Sequence, residues 1–235
     1  MRGVSLPLSI REEVQKVISN EENEKGEWNE KSFTPFNLPS PLDLLLADVH
    51  GGSSTPSMVK KILKWKGGSD GKLWEDIQES NNTIILLFKH LDETFPQQLM
   101  SDVCTQLSTS SYHTWDEIGG DSNSISVISV ISMLQSIRIE LLKIRTMLKE
   151  MGLQAKVNVE PDDQTSLANE TCELPGVLGF GVPGAGGNDA LFAIVLHDSV
   201  RERVEEFWLS YHQNESLVTP LLLTTSSEGL TITKG

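Results

Sequence analysis

Between residues 121 and 151 the chain places Ile125, Ile128, Ile131, Leu134, Ile137, Leu141, Ile144, Leu148 and Met151 three or four residues apart. That spacing lines one face of a long helix with apolar side chains and requires a surface to bury it. Gly152 stands where such a helix would stop. Arg138, Lys143, Arg145 and Lys149 fall on the other face and read as solvated.

The rest of the chain supplies that surface from short segments of both periods. Residues 42–49 read as a buried strand, with helix as the alternative. Thr55 suits an N-cap and Pro56 the first helical position, and Met58, Val59, Ile62, Leu63 and Trp65 then repeat at helical spacing until Gly67 and Gly68. Residues 70–95 and 97–113 suggest two further helices. "AKVNVE" (155–160) alternates like a strand ended by Pro161, and "QTSLANE" opens a short helix. Two strands, 176–182 and 190–196, flank a glycine-rich loop. An amphipathic helix and two short closing strands follow. Strands and helices without regular alternation predict an α+β fold with helices packed on a mixed or antiparallel sheet. Residues 1–34, acidic and polar in their middle, read as a flexible or remnant segment before one domain at 35–235.

Apolar residues make up 38% of 235, and 18 glycines bring the total to a globular share, so a packed core is expected. No run of about 18 apolar residues suggests a membrane span, and the Pro7-broken N-terminus does not read as a signal peptide. Cys104 and Cys172 match no metal spacing and fit reduced thiols in a cytoplasmic protein. A net charge of −14 argues against nucleic acid and anionic membranes as partners. It also means that any phosphorylated ligand must be held by local donors.

Three stretches could supply such chemistry. The loop "PGAGGND" (183–189) reads either as a hairpin connection rich in positive φ or as a cradle of main-chain N–H groups. It matches neither a Rossmann nor a Walker pattern, because no lysine follows the glycines and a strand, not a helix, does. In "HGGSSTPSMVKK", Ser53, Ser54 and Thr55 bring hydroxyls to a helix N-terminus, with Lys60 and Lys61 one turn on: an anion site, or an ordinary capped helix. In "VEPDDQTSL", Glu160, Asp162 and Asp163 offer paired acids or an exposed acidic turn, and Gln164 and Thr165 offer polar ligands or a cap. No Ser-His-Asp order, H-E-x-x-H or C-x-x-C is present.

"LLLADVHGGSSTPSMVKKILKW", "KIRTMLKEMG", "VEPDDQTSL" and "GVLGFGVPGAGGNDALFAIVL" together resemble the C-terminal half of the eukaryotic phosphomevalonate kinase family, within the GHMP small-molecule kinases. The resemblance spans roughly residues 35–200. It implies a ferredoxin-like C-terminal lobe of a two-lobed enzyme that moves the γ-phosphoryl of Mg-ATP onto mevalonate 5-phosphate, in the cytoplasm or, for some members, the peroxisome. It implies that Gly184, Ala185, Gly186 and Gly187, with Asp189 beside them, pack against the nucleotide-phosphate loop. It implies that Ser53, Ser54, Thr55, Gln164 and Thr165 face the phosphorylated acceptor, with Arg138 as an anion contact. Asn188 departs from the aromatic residue common in the family. The nucleotide-wrapping motif P-x-x-x-G-L-G-S-S-A and an early lysine-bearing strand are not found among these residues. The expectation is therefore a partial kinase with little turnover by itself, and an apolar face open to self-association. The rival expectation is a non-catalytic binding module.

Overall fold

The structure, a computed structural model, describes residues 36–49, 51–69, 71–211 and 217–221. Two units are distinguished, Met1–Asn37 and Leu38–Gly235. Only Phe36 and Asn37 of the first are described, so the acidic segment 1–34 lies outside the described residues, as does the last expected strand. All elements below belong to the second unit.

Four strands, β1 (Asp43–Val49), β2 (Val177–Gly181), β3 (Ala190–Val195) and β4 (Val218–Leu221), form an antiparallel sheet in the order β2-β3-β1-β4. Among the described residues there are seven α-helices: α1 (Thr55–Lys66), α2 (Lys72–Thr94), α3 (Gln97–Leu107), α4 (Trp115–Gly120), α5 (Ile125–Ala155), α6 (Asp162–Glu173) and α7 (Arg201–Ser210). The chain runs β1, α1–α6, β2, β3, α7, β4. The α+β class follows, with a sheet that is antiparallel throughout.

The strands are apolar on both faces, and both faces are covered. Leu45, Ala47 and Val49 of β1, with Leu191, Ala193 and Val195 of β3, pack against Leu167, Ala168 and Cys172 of α6 and Val204 and Trp208 of α7. The intervening Leu44, Phe192 and Ile194 meet the opposite layer, where Phe88, Leu91, Leu134 and Ile137 of α2 and α5 are buried. Period-two alternation thus feeds two cores. An irregularity in β2 between Val177 and Gly179 breaks the alternation. It leaves Gly179 under α5, where a Cβ would overlap Leu141, and it lets Phe180 join the α6–α7 core.

Several boundaries differ from the sequence expectation. Helix α5 passes through Gly152 and ends at Ala155, with Lys156 in the left-handed region (φ 55°). Gly152 serves close approach instead: Val157 N–H donates to its carbonyl at 2.8 Å, and a Cβ there would lie 2.6 Å from the Val157 carbonyl. Residues 155–160 are accordingly a hook and not a strand; Val157 and Val159 fold back onto Ile62 and Met151. Ile125 and Ile128 are exposed, while Arg138 is buried. Ser54, not Thr55, is the N-cap of α1, and its side chain makes no capping bond. The helix expected over 97–113 stops at Leu107. By length and composition α5 could cross a membrane; here it lies against the sheet and α2.

Candidate functional site

The register of β1 and β3 brings two turns together. Asp48 lies opposite Ala190, so the exit from β1 and the entry to β3 share one edge of the sheet. The turn into α1 and the glycine loop between β2 and β3 must therefore meet there. Val49 N–H donates to the Asp189 carbonyl and Gly52 N–H to the Asn188 carbonyl, each at 2.9 Å. Ser53 closes the contact from both sides. Its N–H donates to Asp189 Oδ1 at 2.5 Å, and its Oγ accepts from Asn188 N–H at 2.9 Å.

The glycines make this contact possible. Gly184, Gly186 and Gly187 have φ of +67°, +76° and +91°. At Gly187 a Cβ would overlap Ser53 Oγ, and at Gly186 it would overlap the Val159 carbonyl. Behind the loop, Gly187 N–H donates to the Val159 carbonyl at 2.8 Å, and Gln164 Nε2, from the first turn of α6, donates to the Gly187 carbonyl at 2.7 Å. The loop is stitched to the β1–α1 turn on one side and to the 157–164 segment on the other.

These bonds sort the candidate residues. Ser53 N–H and Asp189 Oδ1 are spent on each other, Gln164 Nε2 on the Gly187 carbonyl, Gly187 N–H on the Val159 carbonyl and Gly186 N–H on the Pro183 carbonyl. By contrast, the amides of Ser54, Gly184 and Ala185 and the hydroxyls of Ser54, Thr55 and Ser57 make no hydrogen bond among the described residues. Ser54, Thr55 and Gly184 are exposed, and Ala185 is half-buried. Ser54, Thr55 and Ser57 sit at the N-terminus of a 12-residue helix, where unpaired N–H groups and the positive end of the dipole favour an anion; Gly184 and Ala185 belong to the loop whose Asn188 and Asp189 bond the Ser53 turn. Hydroxyls and amides suit phosphate oxygens better than a cation.

The peroxisomal phosphomevalonate kinase of Arabidopsis thaliana is 33% identical over 224 residues, 90% of this chain and 41% of that protein. Phosphomevalonate kinases of Candida albicans and Aspergillus fumigatus are 29% and 28% identical over 83% and 68% of this chain. This chain is a relative of the phosphomevalonate kinases. It spans 27% to 41% of the length of the relatives it matches. No family model matches it. Among solved structures, the Lin0012 protein of Listeria innocua superposes with a TM-score of 0.50 at 19% identity, over 79% of this chain and 39% of that one. That likeness speaks for the fold alone.

In this phosphomevalonate kinase relative, Gln164 and Thr165 part company. Gln164 is buried under the glycine loop, whereas Thr165 Oγ1 bonds Glu160 Oε1 at 2.8 Å and Lys149 Nζ at 2.7 Å. About 100° separates neighbours on a helix, so the two point to different surroundings. Thr165 lines a cavity of about 440 Å³ between α5 and α6. There Arg145 grips Glu160 in a two-pronged bond, both contacts at 2.8 Å, with side chains 11% and 2% exposed.

Arg138 is likewise internal and not on a solvated face. It is 3% exposed, donates to the carbonyls of Val177 (2.9 Å) and Cys172 (2.8 Å), and stacks on Tyr112 at 4.2 Å. Its terminal nitrogens are engaged by the framework, so the anion contact implied for it is corrected to a role in holding β2 and α6 to α5. Asp162 and Asp163 are exposed, as an acidic turn would be, but Glu160 is not. The sequence reading missed Val159, whose carbonyl anchors the glycine loop, and grouped Glu160 with Asp162 and Asp163 where the structure buries it against Arg145. A signal existed for Glu160: it stands between Val159 and Pro161, apart from the Asp162–Asp163 pair. Among the described residues no three His, Cys, Asp or Glu side chains gather to hold a metal ion.

Proposed function

We propose that this chain supplies the acceptor-side lobe of a phosphomevalonate kinase, the ferredoxin-like lobe of the GHMP kinases. The sheet order β2-β3-β1-β4, with helical segments between β1 and β2 and between β3 and β4, supports the lobe assignment. The observation that carries the functional reading is the direct contact between the Ser53 turn and the glycine loop, in a chain 33% identical to a phosphomevalonate kinase over 90% of its length. The substrates would be mevalonate 5-phosphate and Mg-ATP, with metal arriving on the nucleotide phosphates.

Phosphoryl transfer asks for positioning and charge stabilisation more than covalent chemistry. In this reading the hydroxyls of Ser54 and Thr55 and the amides of Ser54, Gly184 and Ala185 hold phosphate oxygens. Ser53, Gly186, Gly187, Asp189 and Gln164 hold those donors in place, and Thr165 acts at one remove through Glu160. The Arabidopsis relative is named peroxisomal; that location and the cytoplasm both suit this composition.

The nucleotide-wrapping motif is not among the 235 residues, so this polypeptide by itself is proposed to turn over slowly or not at all. Titration calorimetry with mevalonate 5-phosphate and with ATP tests the assignment, alongside a coupled ADP-release assay. Acceptor binding without nucleotide binding supports it. Binding of neither returns the chain to a non-catalytic module, and rapid turnover by the pure chain refutes the half-site.

A further inference from the structure

Helix α1 differs in charge from the other described helices. Its twelve residues contain Lys60, Lys61, Lys64 and Lys66 and no acid. Every other described helix that carries a lysine or arginine also carries Asp or Glu. This occurs in a chain with 33 acids and 19 bases. All four lysines are exposed. Lys66 lies over the Trp74 ring at 3.9 Å; Lys60, Lys61 and Lys64 form no ion pair with a described residue.

Their placement is directional. At about 100° per residue, Ser57, Lys60, Lys61 and Lys64 fall within one arc of roughly 100°, and the buried Ile62 lies on the other side. Side chains on a helix lean toward its N-terminus, so this stripe leans toward Ser54 and Thr55. Lys60 and Lys61 stand about 8–9 Å along the axis from Thr55, within a Debye length of about 10 Å at 0.1 M salt; Lys64, about 14 Å away, stands outside it. The dipole of α1 adds its positive end at the same place.

We propose that the α1 lysine stripe is an electrostatic approach for a small, multiply charged phosphorylated anion, drawing it to the Ser54–Gly184 donors against the net negative field of the chain. The assignment of mevalonate 5-phosphate as that anion rests on the function proposed above; the approach itself does not. Lys60 and Lys61 carry most of the effect.

A thiol at the head of the stripe reads the local field without any ligand. Cys104 and Cys172 are buried, and burial pushes the Cys104 thiol up to about 12, so in Ser57→Cys the fast-reacting thiol is the introduced one. At low salt an anionic disulfide reagent should react about fivefold or more faster than a cationic one, and the ratio should approach one in 0.5 M salt. Combining Lys60→Gln, Lys61→Gln and Lys64→Gln should abolish the preference. The same charge removed by Lys72→Gln, Lys89→Gln and Lys143→Gln should leave it unchanged. A ratio at or below one in the parent, or an equal loss in the control, overturns the proposal. Calorimetry then separates the two readings. Mevalonate 5-phosphate that binds the parent and weakens about fivefold in the stripe variant at low salt only supports both. Binding that is equal in the two proteins sinks the approach. No binding by a parent that retains the anionic preference removes the acceptor assignment and leaves the approach standing.

Discussion

Lys60, Lys61 and Lys64 project into solvent from α1, whereas Arg138 and Arg145 on α5 are almost wholly enclosed. In the sequence Arg138 and Arg145 read as a solvated helix face, and Lys60 and Lys61 as part of an anion site or as lysines of an ordinary capped helix. The structure separates them by partner. The arginines are bonded to carbonyls and a carboxylate that lie 15 to 39 residues further along the chain. The lysines have no such partner among the described residues. A buried cation with fixed acceptors is framework, and removing it leaves those acceptors stranded. An exposed cation contributes a field and little else.

The largest effect should come from Arg145→Ala. It strands Glu160, 2% exposed, and takes donors from Asn169 and the Thr165 carbonyl. Breaking a buried pair from one side costs about 3–5 kcal/mol, read as a lower urea midpoint. Arg145→Lys should recover only a minor part, because one ammonium cannot reproduce the two-pronged grip. A loss below 1 kcal/mol would place Arg145 with the lysines.

Arg138→Ala should follow at about 2–3 kcal/mol, from carbonyls left unpaired. The figure is smaller than for Arg145 because neutral carbonyls, and not a buried carboxylate, lose their donor. Tyr112 also loses its stacked partner.

What the sequence disclosed, and what it hid, follows the same division. The β2–loop–β3 hairpin was legible because strand alternation and a glycine cluster are local signals. The existence of α5 was legible for the same reason. Its end was not, because Gly152 is occupied by Val157 folding back and not by a terminating turn. Residues 155–160 alternate well enough for a strand, yet Val157 and Val159 pack onto Ile62 and Met151 instead. The contact of Ser53 with Asp189, 136 residues apart, has no signature in either stretch alone. The inward turn of Arg138, Arg145 and Glu160 depends on acceptors and donors that no periodicity reveals.

The glycine loop allows the comparison to be repeated without charge. Gly184, Gly186 and Gly187 all have positive φ, so alanine at any of them meets the same left-handed penalty of about 1–2 kcal/mol. A Cβ at Gly184 meets open space, while at Gly186 it meets the Val159 carbonyl. Gly186→Ala should therefore cost about 1–3 kcal/mol more than Gly184→Ala, measured by thermal or urea unfolding. Equal costs would mean that the stitching of the loop to Val159 carries no stability. The same pair sharpens the site assignment: Gly184→Ala keeps its N–H and should leave phosphate binding nearly intact.

The smallest effect should have the opposite sign. Lys60 and Lys64 are like charges four residues apart, and Lys60 lies in the N-terminal half of α1. A like-charge pair at that spacing destabilises a helix by about 0.2–0.5 kcal/mol, and a cation toward the N-terminus opposes the dipole. Lys60→Gln should therefore raise the unfolding midpoint slightly at low salt, by that same few tenths of a kcal/mol, and the gain should fade as salt screens the pair. Arg138→Ala and Arg145→Ala should show no comparable fading, because their partners are enclosed. A lysine retained for an approaching anion should be a mild burden on the free protein, so a salt-independent loss of stability in Lys60→Gln would instead give that lysine a structural partner and return α1 to the framework.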